Sequence, residues 1–102
     1  MISSLRRIDS TGSSRISDIQ QEIDYLRDTL EVLRATGEIS NDAFLEAGSI
    51  QGGLSLMINL VSQGISEDEA NTQLSILKER ANILNETYPG LDDSIESRRN
   101  IT

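Results

Sequence analysis

Three runs of apolar residues recur at alternating spacings of three and four, and no proline interrupts any of them. The first is Ile16, Ile19, Ile23, Leu26, Leu30 and Leu33. The second is Ala43, Ala47, Ile50, Leu54, Met57 and Val61, and the third is Ala70, Leu74, Leu77, Ala81, Leu84 and Tyr88. Residues so spaced fall on one side of an α-helix, whereas a half-buried strand needs strict alternation. Each run is six consecutive core positions of a heptad, which predicts three amphipathic helices. The single proline, Pro89, follows the last run and can end a helix without breaking one.

The residues between the runs carry stop and start signals. Ser14 or Ser17 can cap the first helix, and Ser17-Asp18-Ile19-Gln20 has capping-box form. Gly37 suits a left-handed stop. Ser40 or Asn41 opens the second helix, with Asp42 near its positive end, and Gly64 closes it. Ser66-Glu67-Asp68-Glu69 caps the third, and Pro89-Gly90 ends it. The predicted helices are 16–36, 41–63 and 67–88. Matched lengths and short loops predict an all-α fold, an antiparallel three-helix bundle with extended or short-helical arms at both ends. The expected division is a basic arm at 1–15, the bundle at 16–90 and a tail at 91–102. Ser10 to Ser14 reads as a flexible hinge. Removing residues 1–12 takes away no seam position, so the three helices are expected to survive it.

Charge narrows the partners. The chain has 17 acidic and 9 basic side chains and a net charge of −8. Nucleic acid and anionic membrane surfaces are poor partners for it. Arg6-Arg7 and Arg98-Arg99 are the exceptions, one two-arginine cluster in each arm. Their expected partner is the acidic bundle itself, on the same or a neighbouring protomer. The stretch Ala47–Ser66 is 20 residues long and uncharged, the length of a membrane span. Ser49, Gln51, Ser55, Asn59, Ser62, Gln63 and four glycines make it too polar to insert unaided, so no span is expected. The start has no apolar stretch after its arginines, so no signal peptide is expected and synthesis is placed in the cytoplasm.

Catalysis has little to work with. There is no cysteine and no histidine, which removes disulfides, thiolate metal sites, the cysteine nucleophile and the commonest general base. Lys78 could serve a serine nucleophile, but Glu79 and Glu86 would hold it charged. The clusters Glu67/Asp68/Glu69 and Asp92/Asp93/Glu96 lack the alternating spacing of a calcium loop. They read as a helix N-terminus and a solvated tail. No catalytic, cofactor or metal site is expected.

What remains is surplus apolar surface. Tyr25 and Val32 lie one heptad apart and away from the first seam, as do Ile76 and Ile83 relative to the third. Leu56 and Leu60 lie off the second seam. Gly48 and Gly52 form Gly-x-x-x-Gly, and glycine inside a helix costs about 1 kcal/mol against alanine. Such a pair suggests close approach of another backbone. The expected interaction residues are therefore Tyr25, Val32, Gly48, Gly52, Leu56, Leu60, Ile76 and Ile83, with Arg6, Arg7, Arg98 and Arg99. The expected function is a non-enzymatic structural subunit, as in a virion, secretion apparatus or scaffold, that forms a homo-oligomer through helical faces. The alternative is an adaptor, chaperone or inhibitor that binds another helical protein. A third is a small-ligand sponge with sites between protomers.

Overall fold

The computed structural model describes residues 1–11 and 16–101. It is all-helical, and no strand occurs among the described residues. Among the described residues five α-helices form in place of the three expected: α1 (Ile2–Thr11), α2 (Ile16–Ala35), α3 (Asn41–Ser62), α4 (Glu67–Thr87) and α5 (Leu91–Ser97). A 3-10 turn, Arg98–Ile101, follows α5. The long helices end within one residue of their predicted limits.

Local chemistry explains those limits. The Ser40 hydroxyl accepts a hydrogen bond from the Ala43 N–H at 3.1 Å, and Ser66 accepts one from the Glu69 N–H at 3.1 Å. Each satisfies a donor that the first turn leaves without a partner. Gly37 and Gly64 adopt φ of 77° and 96°, which stops α2 and α3. The first helix begins at Ile16, so Ser17 sits inside α2 and is not its cap. Ser14, and residues 12–14 of the expected hinge, lie outside the described residues. Ser10 is in the last turn of α1.

α3 packs against α2 on one side and α4 on the other. Arg34, at the end of α2, lies 4.9 Å over the Phe44 ring at the start of α3, as an antiparallel hairpin requires. Having two neighbours gives α3 a wide buried face. Ile58 joins Ala43, Ala47, Ile50, Leu54 and Met57 inside, while Val61 is only half-buried. Gly53 faces α4: a Cβ there would meet Leu77 Cδ2 at 2.6 Å.

A bundle of three helices with separate arms is not what forms. α1 packs against both α4 and α2, and α5 packs against α2 and α1. Met1, Leu5 and Ile8 of the N-terminal segment, with Leu91 and Ile95 of α5, belong to the same buried cluster as the three seams. The reason is spacing. Leu5 and Ile8 on the ten-residue α1, with Met1 just before it, keep the 4–3 rhythm and make one apolar stripe.

Candidate functional site: outer helix faces and an arginine–carboxylate clasp

The twelve residues expected to mediate contacts divide into two groups. Val32, Leu56, Ile76 and Ile83 are exposed, between 42% and 59%. Leu45, which the sequence reading missed, is as exposed as Leu56, both at 59%. At about 100° per residue, Leu45, Gly48, Gly52 and Leu56 fall on one stripe of α3, roughly opposite its buried seam. The spacing of eleven between Leu45 and Leu56 could have revealed this. Within the chain, nothing lies within 4 Å of where a Cβ would stand on Gly48 or Gly52. Inside the chain the crowded position is Gly53 instead, where the Leu77 side chain of α4 fills the space that a Cβ would take. Leu60 is half-buried and lines a shallow groove with Ile65, Asp68, Glu69, Thr72 and Gln73 at the α3–α4 turn. Ile83 borders a second groove with Glu46, Ile50, Arg80, Leu84 and Tyr88. There Arg80 Nη2 donates to Ser49 Oγ at 2.6 Å.

These glycines give a paired prediction. Gly52→Ala should raise the stability of the folded chain by roughly 1 kcal/mol, since the new methyl meets open space. If a second helix packs on this stripe, the same methyl should weaken association. Urea denaturation and sizing on one sample separate the two effects, and a loss of fold stability would contradict the open geometry.

Tyr25, Arg7, Arg98 and Arg99 form the second group, and they make contacts within the chain. The Tyr25 hydroxyl donates to the Ile95 carbonyl at 2.8 Å, and the Arg99 guanidinium lies 4.1 Å from the Tyr25 ring centroid. Arg99 of the turn after α5 lies over this ring, so Tyr25 joins helices within the chain and is half-buried. Arg99 donates to Glu96 at 2.9 Å, to Glu22 at 3.0 Å and to Ser4 at 3.2 Å. Arg7 pairs with Glu96 and reaches Glu22 at 3.8 Å. Arg98 pairs with Glu38. Asp92 accepts from the Met1 ammonium and the Ser3 N–H at 3.0 Å each, and from the Ser3 hydroxyl at 2.6 Å. Arg6 is exposed. Arg7, Arg98 and Arg99 thus clasp the acidic bundle of their own chain. Asp92 and Glu96 belong to this clasp and not to a solvated tail.

Electrostatics follow the geometry. Burial opposes ionisation of Asp92 and Glu96, but the donors overcome it and hold both carboxyls below their ordinary values. Those donors are Ser3 and the Met1 ammonium for Asp92, and Arg7 and Arg99 for Glu96. Burial likewise opposes the charge on Arg99, and Glu22 and Glu96 outweigh it, so its pKa is raised. Burial lowers that of the Met1 ammonium despite Asp92. A carboxyl with a depressed folded pKa stabilises above its unfolded pKa and loses that contribution as pH falls through the folded one. The ordinary values are 3.8 for Asp92 and 4.5 for Glu96. Acid titration of the whole chain should therefore show stability falling below about pH 4.5 as these contacts are lost. Relief of acidic repulsion works the other way between pH 7 and 5. A melting temperature still rising at pH 3 would contradict the clasp.

Among the described residues no group of three or more Asp, Glu, His or Cys side chains is arranged to hold a metal ion. Lys78 lies half-buried on α4. α3 is long and apolar enough to cross a membrane by length and composition. Its seam is nonetheless buried in the bundle core. Comparison with protein-family models, with curated proteins and with solved structures finds no match for this chain.

Proposed function

We propose that the chain is a non-enzymatic assembly subunit that associates with copies of itself through the outer faces of its long helices. The observation that carries this reading is the set of large apolar side chains left in solvent: Val32, Leu45, Leu56, Ile76 and Ile83. Scattered exposed apolar residues are ordinary on any surface. Here Leu45 and Leu56 stand in line with two unfilled glycine positions, which makes a face and not a scatter.

Charge supports a second copy as the partner. In a chain of net charge −8, the run Ala47–Ser66 carries no charge. Two copies can meet along that part of α3 without opposing their acids, and almost any other face would bring like charges together.

Light scattering on the purified chain at micromolar concentration tests the proposal. A dimer or larger species is expected, and Leu56→Asp should shift it toward the protomer without loss of helix signal. A concentration-independent species of 11.2 kDa would overturn self-assembly and favour a foreign helical partner for the same face.

A further inference from the structure

We infer that α1 and α5, eighty residues apart in sequence, form one detachable unit that the arginine–carboxylate clasp holds on the long helices and that opens before they melt.

Every named polar contact of α1 in the clasp goes to α5, to the turn after it, or to Glu22 on α2. The Met1 ammonium and Ser3 hold Asp92, Arg7 holds Glu96 and Glu22, and Ser4 accepts from Arg99. Losing α1 strips partners from α5, and losing α5 strips them from α1. Neither helix is long enough to hold by itself, so each depends on packing and on these contacts. α1 has 10 residues and α5 has 7, both below the length at which an isolated helix is stable in water. The long helices have 20, 22 and 21 residues, and α3 is packed on both sides. The small elements are therefore the low-stability end of the fold.

Tyr25 is the anchor on α2, through its hydroxyl to Ile95 and its ring beneath Arg99. The charged groups that face one another across the clasp are Glu22 from α2, Arg7 and the Met1 ammonium from the N-terminal segment, Asp92 and Glu96 from α5, and Arg99 from the following turn. Arg7 is 46% exposed, so salt reaches part of the cluster. Opening uncovers the sides of α2 and α4 against which Met1, Leu5 and Ile8 pack. It adds apolar surface without unfolding the three long helices.

Hydrogen exchange on the full chain, followed by mass spectrometry at pH 7, tests this in solution and does not depend on self-association. Segments covering 1–11 and 91–97 should lose protection together when salt is raised. Arg99→Gln should lower the protection of both by roughly tenfold or more, while 41–62 keeps its protection. Arg27→Ala, which removes an exposed pair with Asp24 and Asp28 outside the clasp, should leave both segments unchanged. Three results would overturn the inference: α1 and α5 respond separately, neither responds, or both respond only in step with 41–62.

Discussion

Deleting residues 1–12 should cost the chain a large part of its stability while the three long helices still fold. Met1, Leu5 and Ile8 are each at most 2% exposed and join the common core. Burying each such side chain contributes roughly 1.5–3 kcal/mol. The three together make about 5–9 kcal/mol, an upper bound set against a typical total of about 5–15 kcal/mol. The clasp partners of Asp92 and Glu96 are lost as well, and α5 should loosen. The midpoint of urea unfolding, read by circular dichroism, should therefore drop sharply. An unchanged midpoint would mean that α1 adds nothing to the bundle and would restore the picture of three helices with a dispensable arm.

The second large effect is expected at the centre of α3. Leu54 is 0% exposed, on the helix that packs against both α2 and α4. Leu54→Ala removes a fully packed side chain and leaves a cavity, at a cost of about 2–5 kcal/mol. Leu56, two residues on, is 59% exposed. Leu56→Ala should change the stability of the fold by no more than about 0.5 kcal/mol. Denaturant unfolding of both variants checks the contrast. Equal costs would mean that the seam and the outer face of α3 are wrongly distinguished.

That contrast was readable in advance because helix periodicity is a local property. The 3–4 spacing places Ile23, Leu26, Leu54 and Ala81 on inward faces whatever the partner, and all four are buried. The caps at Ser40 and Ser66 and the glycine stops at Gly37 and Gly64 act within four residues of themselves, so they too follow from the chain order. The outward positions of Val32, Leu56, Ile76 and Ile83 came from the same geometry.

Tertiary structure decided the rest. Met1, Leu5 and Ile8 are too few to declare a helix by pattern, and α5 has only two buried residues, Leu91 and Ile95. Such short helices exist because a groove is there to receive them, and the groove is made by residues far away in sequence. The same holds for the clasp. Nothing near Glu22 announces Arg99, which is 77 positions later. Nothing near Ser3 announces Asp92. Ion pairs of this kind have no sequence period, since their geometry is set by how the helices cross. Tyr25 shows the division in one residue: its place off the seam follows from spacing, but whether that face met solvent or a neighbour was settled only when α5 and the turn after it brought the Ile95 carbonyl and Arg99 against it.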